Sequence, residues 1–411
     1  MEIIILCYEY PSPSTAGSHR VLYSLEHLSQ KYRHDITLVA FKLPGKDYPD
    51  LSRYCRVETI DIPDRPGLNS LNAMLNIFNS AFSLRHLLAG NTAFLNYSYS
   101  REMERKIESL LADNNYDIIA VDHPAMLRYV SAGSIPVVLL EAFALAEITR
   151  MEYNFERNWP RKIARLLYYY QTRNYGDIYK KLDTAIAVSN HQRDTVRSHC
   201  PRLNIEVIPY GIDTDYFRVV EAETDFPSLI ITGQMSGSRN RAAVLYFYDK
   251  IYPLIKMQVP QLRLYIVGSN PDREILQLAI DESVIVTGYV PDLRPYLSRA
   301  WVVAAPLREG LGVKVRVLQA MAVGKPVVAT SLVTTGMNVS PGENIIIADE
   351  PVEFASKVIE LLNDRQLREN IGDRARLLME TEHSWENLTD RLNEVLERTI
   401  TKKLPVQDKA I

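Results

Sequence analysis

Cysteine is scarce: the chain holds only Cys7, Cys55 and Cys200, far apart and without a C-x-x-C pair. That spacing excludes a disulfide-stapled scaffold and fits a reducing cytoplasm. Histidine and cysteine form no ligand cluster, so no essential metal is expected. Long apolar runs are also missing. The first, Ile3 to Cys7, follows the acid Glu2 where a secretory leader would be basic. It is too short for a leader or a membrane span, and reads as a buried first strand. Neither sign of charge dominates, the formal net charge being -3. The chain therefore has no overall attraction for nucleic acid, and any anion site is local.

What is present is length. The 411 residues are too many for one ordinary core and suffice for two, and 46% hydrophobic with 24% charged residues is a normal soluble balance. Short β-rich runs recur between helical patterns: Ile3 to Cys7, Ile36 to Phe41, Ile118 to Val121, Val137 to Leu140 and Ala185 to Val188. A second series follows, Leu229 to Thr232, Leu262 to Val267, Val284 to Thr287, Val302 to Ala305 and Val327 to Ala329. Runs without polar alternation are strands covered on both faces, and intervening helices make them parallel βαβ units. The expected fold is α/β, two Rossmann-like doubly wound domains facing a cleft, where the strand carboxyl ends bind ligands. The expected limits are 1–213, 214–383, and a C-terminal helix within 384–411 returning to the first domain. The linker holds Ile208 to Phe217, and the tail beyond Lys402 reads as disordered.

The strand Val302 to Ala305 runs into Pro306-Leu307-Arg308-Glu309-Gly310-Leu311-Gly312, and a helix opens near Val313. Gly310 and Gly312 admit close backbone approach, and the N–H groups at the helix start are donors for a phosphate. Lys314 and Arg316 add positive charge there. Glycines also make plain turns, so spacing alone leaves both readings open.

The wording of the segment resembles the donor-binding signature of the family 4 glycosyltransferases, a P-L-R-x-G-x-G loop leading into K-x-L-E-A-M-A-x-G-x-P-V-V-x-T. Ile208 to Phe217 is similar to the family's I-P-N-G-V-D-x-x-x-F segment, with Tyr210 in place of Asn. Leu264 to Gly268, Val286 to Val290 and Val188-Ser189 resemble further elements in the same order. The resemblance implies the GT-B fold. It places Glu309, Gly310, Leu311, Gly312, Val313, Arg316 and Gln319 around the donor. Gln319 stands where the family has a ribose-binding glutamate, which keeps hydrogen bonding but removes the charge. Gln234 and Asn240 replace the family's diphosphate-binding arginine and lysine. Arg239 or Arg241 is the substitute by one register, or a solvated helix start, and Lys314 is the other candidate counter-ion.

Tyr10 to Arg20 resembles the family's P-P-x-x-G-G-x-x-R loop over the donor phosphates, keeping Gly17 of its glycine pair. Glu141 and Ala142 fill the place of the family's histidine near the transferred sugar. His123, at the neighbouring strand end, is a second catalytic candidate beside Glu141 and Lys314, or else caps a turn. The stretch 157–175 has five basic residues, no acid and interleaved aromatics. Arg161, Lys162 and Arg165 are there to meet anionic headgroups and a lipid-linked acceptor, or to solvate a core helix. Asp213-Thr214-Asp215 is read as a turn. The resemblance implies a retaining, metal-free transfer from a nucleotide-diphosphate sugar, UDP or GDP, to a glycan or lipid-linked acceptor. No cofactor is expected. A cytoplasmic enzyme of cell-surface polysaccharide or glycan assembly, peripheral on the inner membrane face, is the implied setting. The alternatives are an epimerase or phosphorylase of the same architecture and a catalytically impaired partner subunit.

Overall fold

A computed structural model describes residues 1–12, 19–43, 45–62, 99–131, 133–142, 176–222, 226–309, 315–335 and 337–403, with single positions and pairs between 150 and 166. The chain divides into two compact units, Met1–Ile208 with Thr389–Ile411, and Pro209–Leu388.

The first unit is built on a seven-stranded sheet. Its strands are β1 (Glu2–Cys7), β2 (Asp35–Lys42), β3 (Arg56–Asp61), β4 (Ile118–Val121), β5 (Val137–Leu139), β6 (Thr184–Ala187) and β7 (Asn204–Val207). All pairings are parallel, in the order β3-β2-β1-β4-β5-β6-β7. The five apolar runs form the middle of this sheet. β3 and β7 lie at its edges, where one side is open and a polar sequence such as Arg56-Val57-Glu58-Thr59-Ile60-Asp61 costs nothing. Glu58 is bridged there by Arg56 and Lys106, both at 2.7 Å.

The end of the chain completes this unit. From Thr389 onward the helix Trp385–Lys403 buries Leu392, Val395 and Leu396. Thr389 bonds Ser24 at 3.2 Å, Asn393 bonds His34 at 2.7 Å, and Lys403 reaches Asp183 at 2.8 Å.

The second unit has six parallel strands, β8 (Ser228–Thr232), β9 (Arg263–Val267), β10 (Val284–Gly288), β11 (Val302–Ala305), β12 (Val327–Ala329) and β13 (Ile346–Ile347). Their order is β10-β9-β8-β11-β12-β13. The helix Val315–Ala322 buries Val317, Leu318, Ala320 and Met321 and stops at Gly324, whose φ of 70° suits a glycine helix end. Gly372, in the helix Arg365–Glu382, lies so close that a Cβ on it would sit 2.1 Å from the Gly324 carbonyl oxygen. At the head of this unit the Asp213 carboxylate accepts from Tyr216 N–H at 2.8 Å, so the Asp-x-Asp string is a turn.

Strand order reverses beside the first strand of each sheet, between β1 and β4 and between β8 and β11. At such a switch point the flanking loops part, leaving a crevice at the strand carboxyl ends.

Candidate functional site

At the switch point of the second unit, β8 ends at Thr232 and Gly233 while β11 ends ahead of Pro306. Gly268, at φ 156°, is pressed against the first of these ends, since a Cβ on it would fall 1.5 Å from the Gly233 oxygen. Gly233 N–H donates to Val267 at 3.0 Å, so the floor here is bare backbone. The Asn240 amide donates to the Gln234 carbonyl at 3.0 Å and fixes the following loop.

Helix spacing sets the rest. Arg316 and Gln319 are three apart, so they share one face of Val315–Ala322, opposite the buried Val317 and Leu318. Both are partly exposed, and burial holds the Arg316 guanidinium below its ordinary pKa. An anionic ligand would reverse that penalty. Glu309 is exposed on the approach, and Arg308 lies over the Tyr246 ring at 4.3 Å. Arg239 is exposed in the first turn of the helix Ser238–Lys250. Arg241 is committed elsewhere: it forms ion pairs with Asp272 and Glu274, so its charge is already matched.

In the first unit the β1–β4 register, Leu6 opposite Val121, sets Tyr8 beside Asp122. Tyr8 N–H donates to Asp122 Oδ1 at 2.9 Å. Asp122 is buried, and its carboxyl is pushed up to about 8 by desolvation. Its hydrogen bonds oppose the rise, and the nearby Glu141 carboxylate adds to it. His123 accepts from Ala125 N–H through Nδ1 at 3.2 Å, capping the turn Pro124–Tyr129, and its ring lies 5.1 Å from that of Tyr8. Burial pulls its pKa down to about 4. The ring is therefore neutral at pH 7, and because Nδ1 accepts, its proton is on Nε2. Glu141 follows β5, where burial pushes it up to about 7 against the opposing charge of Arg20. Arg20 is itself 3% exposed and donates to the Ile208 carbonyl at 2.9 Å. One switch point thus gathers two carboxyls that titrate near neutrality, a neutral imidazole and a buried cation.

The comparisons divide along the same units. Residues 15–216 match the family model described as Glycosyltransferase Family 4, and residues 226–364 the one described as Glycosyl transferases group 1. The first match spans Arg20, Asp122, His123 and Glu141, and the second spans the glycine loop and Gln319. The chain belongs to the group 1, family 4 glycosyltransferases.

This glycosyltransferase is 25% identical over 346 residues to the phosphatidyl-myo-inositol mannosyltransferase of Propionibacterium freudenreichii subsp. shermanii, covering 81% of the present chain and 77% of the relative. It has the fold of sucrose-phosphate synthase from Thermosynechococcus elongatus, with a TM-score of 0.67 at 16% identity over 98% and 100% of the two chains. It also has that of Anabaena HepE, a structure with UDP and glucose, with a TM-score of 0.59 at 15% identity over 96% and 99%. The fold is GT-B.

Of the expected site residues of the glycosyltransferase, Gly17, Gly310, Leu311, Gly312, Val313, Lys314, Arg161 and Arg165 lie outside the described residues. Lys162 is described, with Nζ 5.2 Å from the centre of the Tyr153 ring, and the nearby Trp159 is 72% exposed. Two residues that the sequence reading did not select stand out. Arg20 is the arginine of the P-P-x-x-G-G-x-x-R loop, and Asp122 adjoins His123. The motif position was the available signal for Arg20. Among the described residues no helix is long and apolar enough to cross a membrane, and no group of three His, Cys, Asp or Glu side chains converges.

Proposed function

We propose that this glycosyltransferase moves a sugar from a UDP- or GDP-sugar to a glycan or lipid-linked acceptor, with retention at the anomeric carbon and without a metal or other cofactor. The observation that carries the reading is the donor helix: Arg316 and Gln319 share the face of Val315–Ala322 that follows directly on the glycine loop at the β8/β11 switch point. A diphosphate needs N–H donors and positive charge at a helix start, and a ribose needs an acceptor further along the same face. The loop, Lys314 and Arg316 supply the first, and Gln319 the second. A named relative that acts on phosphatidyl-myo-inositol and a fold neighbour that binds UDP support the two halves of the reaction.

In the reaction the bond from the anomeric carbon to the diphosphate oxygen breaks. The departing negative charge is taken up by Lys314, Arg316 and the loop N–H groups. The acceptor hydroxyl oxygen bonds to the same face of that carbon. Its proton goes to a phosphate oxygen of the leaving group or to Glu141, whose pKa of about 7 suits a proton acceptor near neutrality. His123 and Asp122 remain uncharged at that pH and serve as hydrogen-bonding partners for sugar hydroxyls. The exposed Trp159 and the charge of Lys162 support a place at the inner membrane face, in assembly of surface polysaccharide or glycan.

Calorimetric titration of the full chain with UDP, GDP and their sugar conjugates, beside a Lys314→Ala variant, tests the proposal. Micromolar binding by one base, weakened about tenfold or more in the variant, is expected for loss of a charged hydrogen bond. A folded protein that binds no nucleotide would instead be a non-catalytic partner subunit.

A further inference from the structure

The second unit has a cavity of about 400 Å³ at the other end of its sheet, lined by Trp301, Gly324, Lys325, Arg365, Arg368 and Glu369 among others. Trp301 immediately precedes β11, and Lys325-Pro326 precede β12. The cavity therefore sits at the strand amino ends, whereas the glycine loop follows the carboxyl end of β11. A volume of this size admits a small organic ligand.

Its charges are unevenly matched. Glu369 accepts from Arg365 Nε at 2.7 Å on the exposed rim. Lys325 donates to the Ser298 carbonyl at 2.6 Å, and Arg368 donates to the carbonyls of Leu361 and Leu362 at 2.7 and 2.9 Å. These carbonyls belong to helix ends, which carry partial charges only. Arg368 feels Glu369 and Asp364, and the Asp364 carboxylate is engaged as a helix cap by Leu367 N–H at 2.9 Å. Lys325 is in a worse position. Burial and the positive charge of Arg368 pull it down to about 8, and no carboxylate among the described residues offsets them. Both cations keep further N–H groups beyond those bonds. Arg368 is already oriented, its guanidinium lying over the Trp301 ring at 4.3 Å.

We propose that this cavity is a second ligand site, independent of the donor site, which binds a small phosphate dianion through Lys325 and Arg368, with Trp301 against any organic part. A dianion supplies the missing countercharge, and the planar guanidinium suits phosphate oxygens. Two sources share that chemistry, inorganic phosphate and a phosphate monoester. The helix Val315–Ala322 carries Arg316 and Gln319 and ends just before Gly324 and Lys325, so one short element joins the surroundings of both sites.

The test is calorimetry of the full chain with sulfate, a dianion that does not titrate, in buffers of different ionisation enthalpy. UDP and GDP are present throughout to occupy the donor site. Wild type should take up a fraction of a proton on binding at pH 8.5 and almost none at pH 6.5, because the anion draws a proton onto Lys325. In Lys325→Met the affinity should drop about tenfold or more, as for a lost charged hydrogen bond, and the proton uptake should vanish. Arg365→Ala, a change at the exposed rim, should fold normally and bind more weakly. If Lys325→Met does not fold, the proton uptake of wild type decides. Titration with inorganic phosphate and with a hexose 6-phosphate then separates the sources, tighter binding of the ester placing its sugar in the cavity. No saturable binding, or binding with no proton uptake at pH 8.5, overturns the proposal. Failure of nucleotides to bind would leave the Lys325 result standing, so this proposal and the donor-site reading fail separately.

Discussion

At the end of β4 burial shifts two adjacent side chains in opposite directions, and both stand uncharged at neutral pH. Asp122, pushed up to about 8, keeps its proton at pH 7, and His123, pulled down to about 4, does not gain one. Both shifts follow from burial, since neither charge finds enough compensation there. The consequences for stability have opposite signs. Asp122 and Glu141 are raised, so what they contribute is full below their unfolded values near 4 and is lost as pH rises through about 8 for Asp122 and about 7 for Glu141. His123 is lowered, so its contribution is present above 6.5 and lost as pH falls through about 4. Of these three groups only the carboxyls act above pH 6.5, and Lys325, lowered to about 8, works in the opposite sense only above that value. The melting temperature of wild type should therefore fall between pH 6.5 and 8.5, and Asp122→Asn, which keeps an acceptor for Tyr8 N–H, should flatten the fall. The difference amounts to at most about 1.36 kcal/mol per pH unit for one proton. Parallel profiles for the two proteins would show that Asp122 is ionised in the folded chain. The donor signature could be matched in the sequence because it is contiguous, and its loop, Gly310 to Lys314, lies outside the described residues. The burial of Arg20 and Asp122 was not legible, because it depends on distant partners: Arg20 reaches a carbonyl 188 residues away, and Asp122 meets Tyr8 through the β1–β4 pairing.

Among the elements, the pairing of Val315–Ala322 with Arg365–Glu382 rests on two glycines. Alanine is a better helix former than glycine by about 1 kcal/mol, so propensity alone favours Gly372→Ala. The added methyl would sit 2.1 Å from the Gly324 oxygen, and backbone on both sides cannot yield as a side chain can. Contact should win, with a net destabilisation of about 2 kcal/mol, read as a lower urea midpoint at unchanged slope. A stabilised variant would mean that the two helices can slide apart at no cost. Strand identity was legible where strands are covered on both faces, as in β1, β4 and β11, since burial demands unbroken apolar runs. It failed at β3, β7 and β13, which lie at sheet edges and need no such run. The short β13, Ile346–Ile347, offers too few residues for any period.

For the molecule as a whole, the first unit is discontinuous in sequence while the second is not. Leu392, Val395 and Leu396, all at most 3% exposed, belong to the segment that returns. Burying each contributes about 1.5–3 kcal/mol, a sum comparable with the roughly 5–15 kcal/mol that holds a domain together. A chain ending at Leu388 should therefore lose the structure of Met1–Ile208 and keep that of Pro209–Leu388. Limited proteolysis would then yield a resistant fragment from the second unit alone, and a resistant fragment from residues 1–208 would refute this.

The same discontinuity inverts the order of manufacture. The half of the protein made first is the last that can be finished, because residues 389–403 close its layer over Ser24, His34 and Asp183. At roughly 5–20 residues per second, synthesis leaves the first sheet without that helix for on the order of 10–40 s. During that interval the second unit, complete within one stretch of chain, has emerged and can fold. A nonsense mutation in the codons for residues 389–403 would therefore do its damage far away in sequence, in the sheet that begins with Glu2.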